Sequence, residues 1–158
     1  LNVLGLLLTT QEAVKHFSAA GGSIINISSV VATLALPNAS VYSGTKAAGG
    51  ALVGCFANEF GAGGVRVRSI ASGRTSTPMT GREVRMPGLE EAFVKEYPLG
   101  RIGTTQDVAD AALWLAGDEC FMTGQVLQVN GGLTLRRNPS QRDISASLKA
   151  HAVPKPAG

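Results

Sequence analysis

Long apolar runs are missing from this sequence of 158 residues, although 44% of its residues are hydrophobic. A helix that crosses a bilayer needs about 20 consecutive apolar residues, and the opening stretch LNVLGLLL is much shorter. That stretch also lacks the basic region and the small-residue cleavage site of a secretory signal peptide. We therefore expect a cytoplasmic protein with no membrane partner, folded as one domain around a buried core.

Cysteine is scarce in this sequence, which contains two, Cys55 and Cys120. Their separation fits neither a metal site nor a redox CxxC pair, and both have apolar neighbours in the sequence. We expect two buried free thiols in a reducing compartment, and no metal ion.

A basic face is absent from most of the chain, despite a formal net charge of +3. Residues 136–158 hold five Lys or Arg and one acid, whereas residues 1–135 hold nine bases and ten acids. The positive charge therefore belongs to the C-terminal end, and we expect no nucleic-acid partner. Residues 134–158, rich in serine and basic residues with prolines near the end, are predicted to form a poorly ordered tail.

Strand-like and helical patterns alternate along residues 1–133. Apolar spacing predicts helices over residues 3–20 and 42–60, and Thr104 followed by Asp107 predicts the start of a third helix. SIINIS is typical of a buried parallel strand, and VRVRSIA and GQVLQVNGG are two further predicted strands. This alternation predicts an α/β fold: a partial, doubly wound (Rossmann-like) parallel sheet with helices on both faces.

One tyrosine and one lysine stand four positions apart in SVYSGTKAAGG, shortly after SIINIS ends on two serines. Residues four apart are neighbours on a helix, and ligands of doubly wound sheets bind at the carboxyl ends of the strands. A phenol is a poor acid–base catalyst near neutrality, but an ammonium group one turn away stabilises the phenolate. With a strand-end hydroxyl to hold a carbonyl oxygen, these groups suit proton transfer at a carbonyl or alcohol. Taken singly, each feature has a plain structural explanation, as a half-buried ring or as turn chemistry.

Together, Ser29, Tyr42 and Lys46 have an order and spacing that resemble the short-chain dehydrogenase/reductase family. Several blocks of residues 1–133 are similar to that family, its 3-oxoacyl-carrier-protein reductases in particular: IINISSVV, YSGTKAA, GVRVRSIASG, PLGRIGTTQDVADAALWLAGDE and TGQVLQVNGG. The resemblance implies an oxidoreductase that uses NAD or NADP and transfers hydride between nicotinamide and a carbonyl or secondary alcohol. It also implies a small-molecule substrate and a homo-oligomer, either a dimer or a tetramer.

The resemblance further implies a role for each matching residue. Tyr42 is the expected general acid or base, Lys46 its activating residue and a ligand of the nicotinamide ribose, and Ser29 the residue that polarises the substrate carbonyl. Asn2 is expected to hold a proton-relay water, with a helix N-cap as the alternative.

Thr77 matches the family threonine that contacts the nicotinamide carboxamide, and Gly73 matches the glycine of the loop before it, so both are expected to bind the cofactor. Residues 78–99 correspond to the substrate lid of the family. The chain departs from the family at Ser72, where proline is usual before the glycine, and at Arg68, where asparagine is common. A buried arginine on that strand needs a partner.

A glycine-rich turn that leads from a strand into a helix, and so could hold a dinucleotide pyrophosphate, is absent. GAGG at residues 61–64 precedes a predicted strand instead of following one. We therefore interpret residues 1–133 as the C-terminal catalytic part of the family domain, without its N-terminal dinucleotide-binding half. The alternative is a catalytically inactive remnant that acts at most as an oligomerisation module through its two long helices.

Overall fold

The computed structural model describes residues 1–81 and 86–152; residues 82–85 of the expected lid and 153–158 of the expected tail lie outside the described residues. In chain order the elements are α1 (Leu4–Val14), β1 (Gly22–Ser29), α2 (Ser40–Phe60), β2 (Val65–Ser72), β3 (Thr75–Ser76), α3 (Leu89–Val94), β4 (Gly103–Thr104), α4 (Thr105–Ala116), β5 (Val126–Val129) and α5 (Gln141–Ala150).

A parallel sheet with the strand order β1–β2–β5 forms the centre of the fold. β1 and β2 pair along their whole length, from Gly22 opposite Val65 to Ser29 opposite Ser72, and β2 pairs with β5 as far as Val129. The carboxyl ends of all three strands therefore meet at one edge, where ligands bind in open α/β sheets. β3 and β4 form a separate short parallel ladder.

Helices cover both faces of this sheet, because successive side chains of a strand point to opposite faces. Val65 and Val67 of β2 pack against α2 in one buried cluster. Ile70 of the same strand lies in a second cluster, with Leu115 of α4. The predicted α/β architecture, with a parallel sheet between helices, is confirmed.

The helix bounds agree with the sequence prediction for α2, which begins at Ser40, and for α4, where Thr104 is the N-cap and Asp107 completes a capping box. The prediction was wrong for the end of the first helix, since α1 ends at Val14 and does not continue to Ala20. The next three backbone N–H groups each bond to the carbonyl three residues back, which tightens the last turn and ends the helix.

The C-terminal segment differs from the expected poorly ordered tail, because residues 141–150 form the helix α5. Ser140 and Asp143 make a capping box at its start, with Ser140 Oγ accepting the N–H of Asp143 and the Asp143 carboxylate accepting the N–H of Ser140. α5 packs against α3. Gly88, at φ 84°, leaves no room for a Cβ beneath the carbonyl of Ser147. Local capping and packing therefore order this stretch.

Two expectations from composition can be compared with the structure. Within the described ranges, no helix combines the length and the apolar composition needed to cross a membrane. Cys120 is buried as expected, but Cys55 is exposed on α2, so the expectation of two buried thiols was wrong for Cys55.

Candidate active site at the carboxyl ends of the strands

Ser29 closes β1 at the edge of the sheet where β2 also ends. Its backbone is extended, and its Oγ accepts a hydrogen bond of 3.4 Å from the N–H of Val31 at the start of a short 3₁₀ helix. Ser28 is buried, and its hydroxyl donates to the carbonyl of Lys46 at 3.4 Å. Ser28 is therefore engaged with the α2 backbone, whereas the Ser29 side chain lies at the open end of the strand.

Tyr42 and Lys46 lie one turn apart near the start of α2, as their spacing predicted. Lys46 Nζ is 5.8 Å from the centre of the Tyr42 ring, within the range of a cation–π contact. The same Nζ donates to the carbonyl of Ile27 in β1 at 2.7 Å. Burial lowers the pKa of the Lys46 ammonium group, whereas the Tyr42 side chain remains 46% exposed. The strand thus fixes the ammonium group beside a tyrosine that a ligand can reach.

Asn2 lies against the same turn of α2. Its Nδ2 donates to Thr45 Oγ1 at 3.3 Å, and Thr45 Oγ1 donates to the carbonyl of Tyr42 at 2.8 Å. The N-cap of α1 is Val3, which makes no side-chain capping bond. Asn2 therefore does not cap the helix, and its amide is connected through Thr45 to the backbone that carries the tyrosine.

Gly73 follows β2 at a point of close packing. Its N–H donates to the carbonyl of Val129 at 3.2 Å, and a Cβ at this position would lie 2.7 Å from the hydroxyl oxygen of Tyr97. That oxygen also accepts the N–H of Arg74 at 2.6 Å, and burial raises the pKa of the Tyr97 hydroxyl. The chain therefore needs glycine here, even though serine stands where the family has proline.

Thr77 lies four residues further along, beyond the short strand β3. Its Oγ1 is 3.1 Å from Thr80 Oγ1, and the Thr80 hydroxyl also donates to the carbonyl of Thr75 at 2.7 Å. These bonds hold the segment after β3 in a tight turn beside the end of the sheet.

The candidate site residues predicted from the sequence line two different cavities. A cavity of about 280 Å³ at the carboxyl ends of β1 and β2, which we call the strand-end cavity, is lined by Ser29, Tyr42, Gly73 and Thr77. A second cavity of about 470 Å³ along the open edge of β1, the edge cavity, is lined by Asn2 and Lys46. The contact between the Lys46 ammonium group and the Tyr42 ring connects the residues that line the two cavities.

The strand-end cavity also contains residues that sequence reasoning missed. Arg74 lines it, with its guanidinium carbon 4.4 Å from the centre of the Phe93 ring, and Phe93 and Asn138 contribute to its wall. Arg74 and Phe93 could have been suspected from their positions after β2 and within the expected lid. Nothing in the sequence pointed to Asn138, because it lies in the segment interpreted as a tail.

The arrangement can hold a polar oxygen between a serine and a tyrosine hydroxyl and exchange a proton with it. The Tyr42 ring and Thr77 line the strand-end cavity, and the Lys46 ammonium group lies beside that ring, so these are the groups that could hold the nicotinamide and ribose end of a dinucleotide. For the pyrophosphate end, no glycine-rich turn leads from a strand into an α-helix in the part of the chain that the structure describes.

Comparisons with known proteins give the family. The family model described as enoyl-(acyl carrier protein) reductase matches residues 1–134. An uncharacterised oxidoreductase of Methylorubrum extorquens is 42% identical over 135 residues, which are 84% of this chain and 54% of that protein. The chain thus spans about half the length of the relative it matches.

Solved structures that resemble this chain indicate the same family. A short-chain type dehydrogenase/reductase from Mycobacterium ulcerans superposes with a TM-score of 0.86 at 32% identity, over 96% of this chain and 58% of that one. A gluconate 5-dehydrogenase from Burkholderia cenocepacia, in complex with NADP and tartrate, gives a TM-score of 0.79 at 31% identity, over 85% of this chain and 53% of that one. The serine, tyrosine and lysine at the strand ends thus lie in a chain that belongs to the short-chain dehydrogenase/reductase family.

Proposed function

We propose that the protein is an NAD- or NADP-dependent oxidoreductase that interconverts a carbonyl compound and a secondary alcohol through Ser29, Tyr42 and Lys46. The observation that supports this most directly is the strand-end cavity, where Ser29 and Tyr42 line one space while Lys46 Nζ lies 5.8 Å from the Tyr42 ring. Because the chain covers about half of its relatives, this activity is proposed for the whole protein of which these residues form the catalytic part.

In this proposal each residue has a task in the proton transfer. Tyr42 gives its hydroxyl proton to the carbonyl oxygen in reduction and takes a proton from the alcohol in oxidation. Lys46, held by the carbonyl of Ile27 at 2.7 Å, places its positive charge beside the tyrosine ring. Ser29 donates a hydrogen bond to the substrate oxygen and so orients the carbonyl toward the tyrosine. Asn2 is a positioning residue, which acts through Thr45 on the turn that bears Tyr42.

The cofactor is proposed to be bound at its nicotinamide end by Tyr42, Lys46, Gly73 and Thr77. When bound, it supplies or accepts the hydride at the substrate carbon, while the proton is exchanged at the oxygen by Tyr42. A solved relative contains NADP, which supports a nicotinamide dinucleotide as the cofactor class.

The inactive-remnant alternative is not favoured, since the chain matches an oxidoreductase and a dehydrogenase over most of its length.

We also propose that the protein is a homo-oligomer. Large apolar side chains at the end of α4 are exposed, including Leu113 at 76% and Trp114 at 57%. Monomeric proteins rarely expose large contiguous apolar patches.

The function is tested with Tyr42→Phe in the protein at its full natural length, by following the absorbance of NADH or NADPH with a ketone substrate. We expect kcat/KM to fall by about 10²–10⁴-fold, the usual contribution of a positioned acid–base group. Val41→Ala is the matched control, because Val41 precedes Tyr42 on α2 and is exposed. Equal turnover by the two variants would exclude Tyr42 as the proton donor.

A further inference from the structure

The C-terminal segment forms a second cavity next to the strand-end cavity. This cavity, which we call the tail cavity, has a volume of about 600 Å³. One wall is the connection between β1 and α2, and the other is the segment that leads into α5, from Arg137 to Ile144. Its volume lies in the range of small-molecule sites, about 300–1,000 Å³.

The two cavities are adjacent, because Leu36, Phe93 and Asn138 line both of them. A ligand whose reacting carbon lies beside Tyr42 therefore has the tail cavity as the neighbouring space for the rest of its structure. The family-model match ends at residue 134, so the wall supplied by the C-terminal segment lies beyond the matched part of the chain.

The chemistry of the lining indicates what this space accepts. Arg137 and Ser140 line it, but both are engaged with the carboxylate of Asp143, at 2.8 and 2.7 Å. Asn138 carries a buried amide nitrogen without a hydrogen-bond partner among the described residues. Gln141 and Arg142 complete the polar part of the lining, and the remaining seven lining residues are apolar: Leu34, Ala35, Leu36, Pro37, Phe93, Pro139 and Ile144.

We propose that the tail cavity binds the apolar arm of an extended ketone or secondary alcohol, whose reacting carbon lies in the strand-end cavity. This inference rests on the proposed function for the reacting end of the substrate. Asn138, at the junction, can donate a hydrogen bond to an acceptor on the arm and so satisfy its own buried amide. The cavity therefore selects for the length and apolarity of the substrate, independently of the proton-transfer step.

The test is a series of methyl ketones from butanone to undecanone, with kcat/KM measured for the full natural-length protein and its reduced cofactor. Each added methylene that becomes buried should raise kcat/KM about fourfold until the tail cavity is filled. Ile144→Trp, which fills the cavity, should lower kcat/KM for undecanone by about tenfold or more, the loss expected for at least two buried methylenes, and leave butanone unchanged. Leu135→Trp is the matched control, because Leu135 is exposed and lies outside both linings.

Leu34→Trp fills the cavity from the opposite wall and replaces Ile144→Trp if that variant does not fold. Circular dichroism measures whether each variant is folded. Titration calorimetry of undecanone separates the two proposals. Binding of undecanone that Ile144→Trp weakens, without turnover of any ketone, would overturn the proposed function and support the tail cavity. Turnover that is independent of chain length and unaffected by both tryptophans would overturn the tail cavity and leave the function standing. If the protein showed no turnover of any ketone and no binding of undecanone, both proposals would be overturned.

Discussion

At the scale of single residues, Arg68 places a guanidinium group in the interior of the fold, where its side chain is fully buried. Nη2 donates to Ser23 Oγ at 2.7 Å, while Nε and Nη1 have no hydrogen-bond partner among the described residues. Burial lowers the pKa of this group, because removing a charge from water costs free energy. The Ser23 hydroxyl is thus the partner of Nη2, and the nearby Cys120 side chain partly opposes the fall in the pKa of Arg68.

We expect Arg68→Met to raise the free energy of unfolding by about 1–4 kcal/mol, the gain seen when buried charges are replaced by apolar groups of similar size. Arg66→Met is the matched control two residues earlier on β2. Arg66 donates to the carbonyls of Ala116, Gly117 and Asp118 at the end of α4, so its loss should destabilise by about 1–3 kcal/mol. Urea unfolding measures both, and equal destabilisation by the two variants would contradict this account.

The positions of the candidate catalytic residues could be predicted from the sequence, because they depend on local rules. Ser29 ends a strand, and Tyr42 and Lys46 are one helical turn apart, so alternation and helix geometry place them at the same end of the sheet. Asn138 could not be predicted in this way. Its approach to the strand-end cavity depends on how the C-terminal segment packs, which no local pattern encodes.

At the scale of secondary-structure elements, the glycines of α2 differ in what surrounds them. A Cβ at Gly54 would meet no heavy atom within 4 Å, whereas a Cβ at Gly49 would lie 3.3 Å from Asn26 Nδ2 in β1. We expect Gly54→Ala to stabilise the protein by about 1 kcal/mol, because glycine weakens a helix interior by that amount. Gly49→Ala should gain less or lose stability. Thermal unfolding compares the two; a loss at Gly54 would mean that another copy packs closely against this face.

The start of α5 predicts a pH dependence. Hydrogen bonds from the hydroxyl and N–H of Ser140, and then from Arg137, lower the pKa of Asp143 from 3.8 to about 2. A carboxyl group with a lowered pKa in the folded state stabilises that state above its unfolded pKa, and this stabilisation is lost as pH falls through the folded pKa. α5 should therefore loosen from α3 between about pH 4 and pH 2. Backbone amide NMR signals of Gln141–Ala150 measure this.

Asp143→Asn provides the control for this titration. The amide cannot ionise, so the loosening in this window should disappear and α5 should be less firmly held at neutral pH. An unchanged acid transition in Asp143→Asn would show that another group controls it.

A helix or strand could be predicted from the sequence where the pattern that indicates it lies within a few neighbouring residues. The strand β1 follows from the short apolar run SIINIS, and the helix α4 from its capping residues. The early end of α1 was missed because apolar spacing continues to Phe17 while the backbone has already tightened. The composition of residues 134–158 is typical of a disordered tail, and the Ser140–Asp143 capping pair is the local signal that indicates α5 instead.

At the scale of the whole molecule, the fold leaves large apolar side chains exposed on two different helices, α1 and α4. Leu4 and Leu8 of α1 are 61% and 53% exposed, and β1 is an edge strand of the described sheet. On and after α4, Leu113 and Trp114 are exposed and Phe121 is fully exposed. Surfaces of this kind favour association.

We expect the α4 end to be the contact between copies of the chain, because it combines an exposed tryptophan with other large apolar residues, and tryptophan is enriched at interface centres. Leu113→Lys should shift the mass measured by light scattering to a smaller species. Trp114 is the only tryptophan, so its emission should move to longer wavelength at the same time, as the ring becomes solvated. Leu8→Lys places the same charge on the other apolar surface and should leave mass and emission unchanged. Dissociation by Leu8→Lys alone would assign the contact to α1 instead, and a monomeric parent protein would contradict the homo-oligomer proposal itself.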